Sequence, residues 1–249
     1  MSKLEAALIL GSGPDALQAQ EFPVDMFEKR VAINNAWRVR DDWNYLIHPD
    51  DFPADRWPSV AETAGKHIIT SADYVPLQNR FGGFVYAGGT MAFTAGYWAL
   101  AALKPKIMGF FGCDMVYSDA QTHFYGQGTA DPLRDDISLQ SLEAKSARMM
   151  IMATLNGSLC VNLTANKETR LVFPKVSVEE LAKWSEPDRA DALEKLTASI
   201  DSATVDKVLA AEKHLNYFVE SGEYWKVQDK FDAAKLREID EMWLNASGV

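Results

Sequence analysis

The chain reads as an α/β protein with a Rossmann-like, mostly parallel sheet, helices on both faces and a helical C-terminal extension. Three observations carry this. Short apolar runs alternate with helical stretches, as a parallel sheet with crossover helices requires. The run Ala6–Leu10 passes directly into Gly11-Ser12-Gly13-Pro14, a buried strand followed by a glycine turn. From about Ser177 the texture shifts to Ala, Glu, Lys and Asp, with Leu193, Leu196 and Ile200 at helical spacing. The expected division is a nucleotide-binding domain over residues 1–175 and a helical extension over 176–249.

Taken in order, Gly11 and Gly13 permit backbone angles closed to other residues and let a ligand come close. A helix over part of Asp15–Gln20 should follow, with Pro14 near its first turn and Phe22-Pro23 closing it. Its free N–H groups and dipole would suit a phosphate. Further strands are expected over Val31–Ile33, Trp43–Ile47 and His67–Thr70. The glycine-rich and aromatic stretch Arg80–Thr90 reads as an irregular loop, and Thr90 caps an apolar helix over Met91–Leu103. Lys106–Phe111 is apolar throughout, like a central parallel strand. Thr122–Gly128 is polar, aromatic and aperiodic, and reads as a functional loop. Ser138–Leu155 is a long helix stopped by Asn156-Gly157, and Leu159–Leu163 is another strand. Ser177 with Glu179 and Glu180 marks a helix start, and Trp225 and Trp243 read as packing anchors of the extension.

Composition narrows the function classes. Among 249 residues 47% are apolar, enough for a full core, and the net charge is −10. That charge argues against nucleic acid as a partner and against an anionic membrane surface. Cys113 and Cys160 are the only cysteines, each in or beside an apolar run, and read as buried thiols. No run reaches the length of a membrane span, and the N-terminus lacks the basic and long apolar parts of a secretory signal. The expectation is a cytoplasmic protein, and the C-terminal helices are compatible with a homodimer.

Several residues could carry chemistry. Gly11-x-Gly13-x-x-Ala16 matches the formal dinucleotide fingerprint. Pro14 stiffens it, however, and Asn34-Asn35 stand where an NAD enzyme places an acid. An Asn34 or Asn35 amide can bond a ribose, sugar or base, or can form an Asx-turn. His48, in His48-Pro49-Asp50-Asp51, could act as a base, as a metal ligand or as an ordinary loop histidine. Asp114 and Tyr117 follow a central strand, where a carboxylate can hold a sugar hydroxyl or cap a turn. His123 can take a proton, Tyr125 can donate to a leaving phosphate, and Arg134 can pair with an anion. No Asp-x-Asp, G-x-S-x-G or Walker-type phosphate loop occurs.

Together these motifs resemble the bacterial sialyltransferases that decorate lipo-oligosaccharides. Gly11-Ser12-Gly13-Pro14 resembles the family's Gly-Asn-Gly-Pro turn, and Asn34-Asn35 and His48-Pro49 fall where it has Asn and Asn-Pro. Gly88-Gly89-Thr90 and its apolar helix fall where the family has Thr-Ser-Gly and a helix. Ile107–Tyr117 and Thr122–Gln127 resemble its Gly-x-Asp-Phe-Tyr strand end and its Ser-His-Tyr-x-Gly-His loop.

The resemblance covers roughly residues 6–165. It implies a glycosyltransferase that binds a CMP-sugar donor, with no metal and no tightly bound cofactor. Gly11, Ser12, Gly13, Pro14, Asn34, Asn35, His48, Gly89 and Thr90 would bind the nucleotide. His123, Tyr125, Asp114 and Tyr117 would face the reaction. The family's catalytic histidine is Gln127 here, which takes no proton at neutral pH, and Gly88-Gly89 replace its Thr-Ser pair. A related resemblance, to archaeal 6-hydroxymethylpterin diphosphokinases, implies ATP and Mg²⁺ held by carboxylates such as Asp50, Asp51 and Asp114. A non-catalytic nucleotide-binding or assembly module is the third reading.

Overall fold

The computed structural model describes residues 5–117, 122–126 and 135–248. Among these residues six strands form one sheet: β1 (Ala6–Leu10), β2 (Lys29–Ile33), β3 (Tyr45–Ile47), β4 (His67–Ile69), β5 (Ile107–Phe111) and β6 (Leu159–Asn162). All neighbouring strands are parallel, in the order β4-β3-β2-β1-β5-β6. The chain builds outward from β1 to β4, then returns to the other side of β1 for β5 and β6. The order therefore reverses between β1 and β5, where open α/β sheets leave a crevice beyond the strands' carboxyl ends. Both strands are buried along their whole length, which is why each is a continuous apolar run.

Three helices lie side by side on one face: α1 (Ser71–Asn79), α3 (Met91–Ala102) and α4 (Leu142–Leu155). Between the first two comes the four-residue α2 (Phe84–Ala87). Gly96 lets α3 approach its neighbours, since a Cβ there would lie 2.6 Å from the Met149 Cε. On the opposite face the cover is a 3-10 turn, Ala16–Glu21, with Phe22 against Phe111 at 4.8 Å and Phe27 beside Gly109.

Several elements differ from the sequence reading for local reasons. The helix expected at Asp15–Gln20 is that 3-10 turn, because Phe22-Pro23 stops it before an α-helical ladder can pay off. The stretch expected to be irregular contains α2, held between Gly83 (φ 82°) and Gly88 (φ 89°). Four helical residues are too few to show a period. The helix expected from Ser138 begins at Leu142, capped by the Ser141 hydroxyl, which accepts from the Ala144 N–H at 3.1 Å. Ser138 lies in a separate 3-10 turn, Ile137–Leu139. The unexpected helix α1 carries Pro76 inside it and is started by a capping box between Thr70 and Asp73.

The C-terminal part adds α5 (Val178–Leu181), α6 (Glu186–Ser199), α7 (Ser202–Leu215) and α8 (Ala233–Ala246). Leu181 and Leu196 join the core around the sheet. Val205, Val208, Leu236 and Trp243 form a second apolar cluster with Tyr86 of α2 and Ile151 of α4. The apolar sides of α7 and α8 are thus engaged within the same chain. Two buried ion pairs fasten them to α4: Lys145 to Asp240 at 2.6 Å, and Arg148 to Glu212 at 2.8 Å. Trp243 is fully buried, as an anchor should be, whereas Trp225 is 57% exposed and rests edge-on against Tyr224. Both cysteines are buried and unpaired. Among the described residues, no helix is long and apolar enough to cross a membrane.

Candidate functional site

The turn after β1 and the turn after β5 run against each other. The Gly11 N–H donates to the Phe111 carbonyl at 2.8 Å, and the Gly13 N–H donates to the Gly112 carbonyl at 2.9 Å. A Cβ on Gly11 would run into that same Gly112 oxygen, and one on Gly13 would lie 2.9 Å from it. Contact between two backbones therefore demands these glycines, and their N–H groups are satisfied within the protein rather than turned toward a phosphate. Asp15 sits at the start of the following 3-10 turn, with no capping bond. Its carboxylate puts negative charge where the sequence suggested an anion.

A longer helix start lies at the same edge of the sheet. Thr90 caps the twelve-residue α3, its hydroxyl accepting from the Phe93 N–H at 3.3 Å. The Gly89 N–H donates to the Ser138 hydroxyl at 3.0 Å, which in turn donates to Asp136 at 2.7 Å. Tyr224 donates to the other Asp136 oxygen at 2.6 Å, and its hydroxyl occupies the space a Cβ on Gly89 would need. The C-terminal part thus braces the loop that leads into α3. Nothing local in the sequence announces this contact, because its partners lie far apart along the chain.

The ends of β2 and β3 carry buried polar atoms without partners. Asn34 adopts a left-handed backbone (φ 51°), which asparagine tolerates better than most residues. The Oδ1 atoms of Asn34 and Asn35 are buried and accept no hydrogen bond. His48 is 2% exposed, packed at 4.7 Å from the Trp57 ring and 5.2 Å from Phe52. Its Nδ1 lies 2.9 Å from the Pro49 carbonyl, which can only accept, so Nδ1 carries the proton. In the neutral ring that leaves Nε2 as an acceptor, and the atom is buried with no partner. The residue is not an ordinary exposed loop histidine. Buried polar groups are rarely left unpaired, and these three stand together at adjacent strand ends, where a ligand's donors could meet them.

Asp114 follows β5 and meets Asp15 across the crevice. One Asp114 oxygen accepts from Thr164 at 2.8 Å and from Asn166 at 2.9 Å. The same hydroxyl and amide lie 3.5 and 3.3 Å from one Asp15 oxygen. Each carboxylate leaves its Oδ1 buried and unpartnered. Burial, and then the Asp114 charge, raise the Asp15 carboxyl above its ordinary value. Sequence reasoning passed over Asp15, Thr164 and Asn166. The available signal was that each directly follows a strand end or turn at this edge. Among the described residues, no three or more His, Cys, Asp or Glu side chains are grouped to hold a metal.

This pair gives a pH prediction with a defined sign. Asp15 binds its proton more tightly in the folded state, so its contribution to stability falls as pH rises from about 3.8 through the raised folded value. Asp15→Asn should therefore raise the melting temperature at pH 7 and lose that advantage below pH ~4. Calorimetric scans of both proteins at the two pH values check this. A variant less stable than the parent at pH 7 would contradict it.

His123 lies on the described segment 122–126, a tight turn in which His123 and Gly126 exchange two backbone hydrogen bonds of 3.0 Å. The Phe124 N–H donates to the Ser12 carbonyl at 3.1 Å and so places this turn on the glycine turn. His123 stacks on Tyr125 at 4.9 Å, and Thr122 Oγ1 is 2.8 Å from its Nδ1. Burial, then the nearby Arg56 charge, hold the imidazole below its usual value, so it is neutral at pH 7. Burial pushes the Tyr117 hydroxyl up to about 12, which keeps it a donor. Arg56, from the loop after β3, was not singled out in the sequence. Gln127, Gly128 and Arg134 lie outside the described residues.

The structure brings Gly11–Pro14, Asp114, Tyr117, His123 and Tyr125 together at the β1/β5 crevice. Asn34, Asn35 and His48 stand at the next two strand ends, and Gly89 and Thr90 at the start of α3. Fold and site together define a Rossmann-like parallel α/β protein with its polar groups gathered beyond the strands' carboxyl ends. No protein-family model, curated protein or solved structure matches the chain.

Proposed function

We propose that this protein is a glycosyltransferase-type enzyme that uses a nucleotide-activated donor of the CMP-sugar kind. The observation that carries this reading is the Phe124-to-Ser12 hydrogen bond, which seats a histidine and a tyrosine on the turn at the reversal of strand order. In this reading Asn34, Asn35 and His48 receive the donors of the base or ribose. The start of α3, with Thr90, faces the phosphate. Ser12 and Pro14 line the crevice between them. His123 takes the proton of the acceptor hydroxyl, whose oxygen forms the new glycosidic bond. The sugar–phosphate bond breaks and the nucleotide departs with its electron pair. Tyr117 and Tyr125 donate hydrogen bonds to that phosphate, and Asp114 holds a sugar hydroxyl. No step needs a metal.

One observation favours a second reading, a diphosphokinase-like enzyme using ATP and Mg²⁺. The free oxygens of Asp15 and Asp114 are ligands of the type Mg²⁺ takes. A thermal-shift series distinguishes the two. CMP in the presence of a chelator, at about 100 times its dissociation constant, should raise the melting temperature by about 5 °C or more. A shift seen only with ATP and Mg²⁺ together supports the second reading. The absence of any shift across CMP, CDP, UDP, GDP, ATP with Mg²⁺, and NAD overturns both. Binding without transfer or hydrolysis identifies a non-catalytic nucleotide-binding module.

A further inference from the structure

A second cleft lies on the helical layer, away from the strand ends. It has a cavity volume of about 270 Å³ between the α1–α2 connection, α4 and α7. Phe81, Met152, Leu209 and Phe218 supply its walls. Its floor is the Arg148–Glu212 pair. Arg148 has no charge left to offer there: its guanidinium donates to both Glu212 oxygens at 2.8 Å, to Tyr97 at 2.9 Å and to the Phe81 carbonyl at 2.6 Å. Two other cations stand at the rim. Arg80 and Lys213 are exposed, and neither makes an ion pair or hydrogen bond through its side chain among the described residues. Two unpaired cations over an aromatic and aliphatic cleft are notable in a chain of net charge −10.

Turn conformations and hydrogen bonds hold the backbone around the cleft. Gly82 takes φ 93°, and the Asn216 cap of α7 takes φ 52°. The Tyr86 hydroxyl donates to the Glu212 carbonyl and accepts from the Tyr217 N–H, both at 2.9 Å, which ties α2 to the end of α7. Phe218 rests against Gly83 yet remains 44% exposed, an aromatic face open at the cleft. A preformed cleft loses little on ordering, so modest contacts can yield measurable affinity.

We propose that this cleft binds a small organic anion, with its apolar body against Phe81, Leu209 and Phe218 and its charged group between Arg80 and Lys213. The site is separate from the strand-end crevice and does not depend on the transferase reading.

The test is a fluorescence titration of the native protein with anilinonaphthalene sulfonate. N-phenylnaphthylamine, with the same rings and no sulfonate, serves as its neutral counterpart. Saturable one-to-one binding of the sulfonate is expected. Arg80→Glu with Lys213→Glu should weaken the sulfonate about tenfold and leave the neutral amine within about twofold. Both side chains are exposed and unpaired, so this variant should stay folded, melting slightly below the parent because Arg80 and Lys213 stand at the C-terminal ends of α1 and α7. Phe218→Ala should weaken both probes. An unchanged sulfonate affinity in the charge-reversed protein, or non-saturating binding to the parent, overturns the proposal.

Discussion

Glu212→Ala should lower the unfolding free energy by about 3–5 kcal/mol, among the largest effects expected of any single side chain here. The carboxylate is 6% exposed and holds three groups at once. It accepts from Arg148 Nε and Nη2, and from the Trp243 indole at 2.8 Å. Removing it strands a guanidinium that is 1% exposed, with only neutral partners in Tyr97 and the Phe81 carbonyl. Taking one partner from a buried pair costs far more than removing both, because the remaining charge keeps its desolvation penalty. Arg148→Met combined with Glu212→Leu should therefore recover most of the loss. Recovery should stay incomplete, since the Tyr97 hydroxyl and Trp243 indole lose their partners in the double variant. Urea unfolding curves with equal slopes provide the measurement. A single-variant loss below about 1 kcal/mol would mean that water reaches the pair and screens it.

That ion pair also shows where sequence reading stops. Nothing in the α4 sequence itself marks Lys145 and Arg148 as buried. They are buried because α7 and α8, more than sixty residues later, bring Glu212 and Asp240 to them. By contrast β1, β5 and α3 are legible, since burial on all sides leaves continuous apolar runs with glycine or threonine at their ends. Three-residue strands such as β3 and β4 emerge at about the right place with blurred ends, because so few residues carry the signal. Pro76 hides α1, although Thr70 and Asp73 wrote its capping box into the sequence.

The site divides in the same way. Gly11 and Gly13 announce a turn, but their reason, the Gly112 carbonyl, lies a hundred residues away. The irregular loop containing His123 was recognisable from its composition. The pairing of Asp15 with Asp114 through Thr164 and Asn166 joins three separate strand ends, and no local pattern encodes it.

His123→Ala is the substitution that bears most directly on the proposed chemistry. If the imidazole takes the acceptor's proton, its removal should lower kcat by about 10²–10⁴-fold, the usual contribution of a positioned general base. Nucleotide affinity should stay close to that of the parent, because the unpaired acceptors Asn34, Asn35 and His48 are on other strand ends. The pH profile separates this role from a merely structural one. Burial and Arg56 keep the imidazole below its ordinary 6.5, so the parent's rate should hold to mildly acidic pH and then fall as the ring protonates. The variant should lack that acidic limb. His48→Ala should do the reverse, weakening nucleotide binding by removing the buried Nε2 acceptor while the acidic limb persists. An acidic limb that survives in His123→Ala would take the proton-transfer role away from this histidine. It would turn attention to Asp15 and Asp114 at the crevice, whose carboxylates each keep one oxygen without a partner.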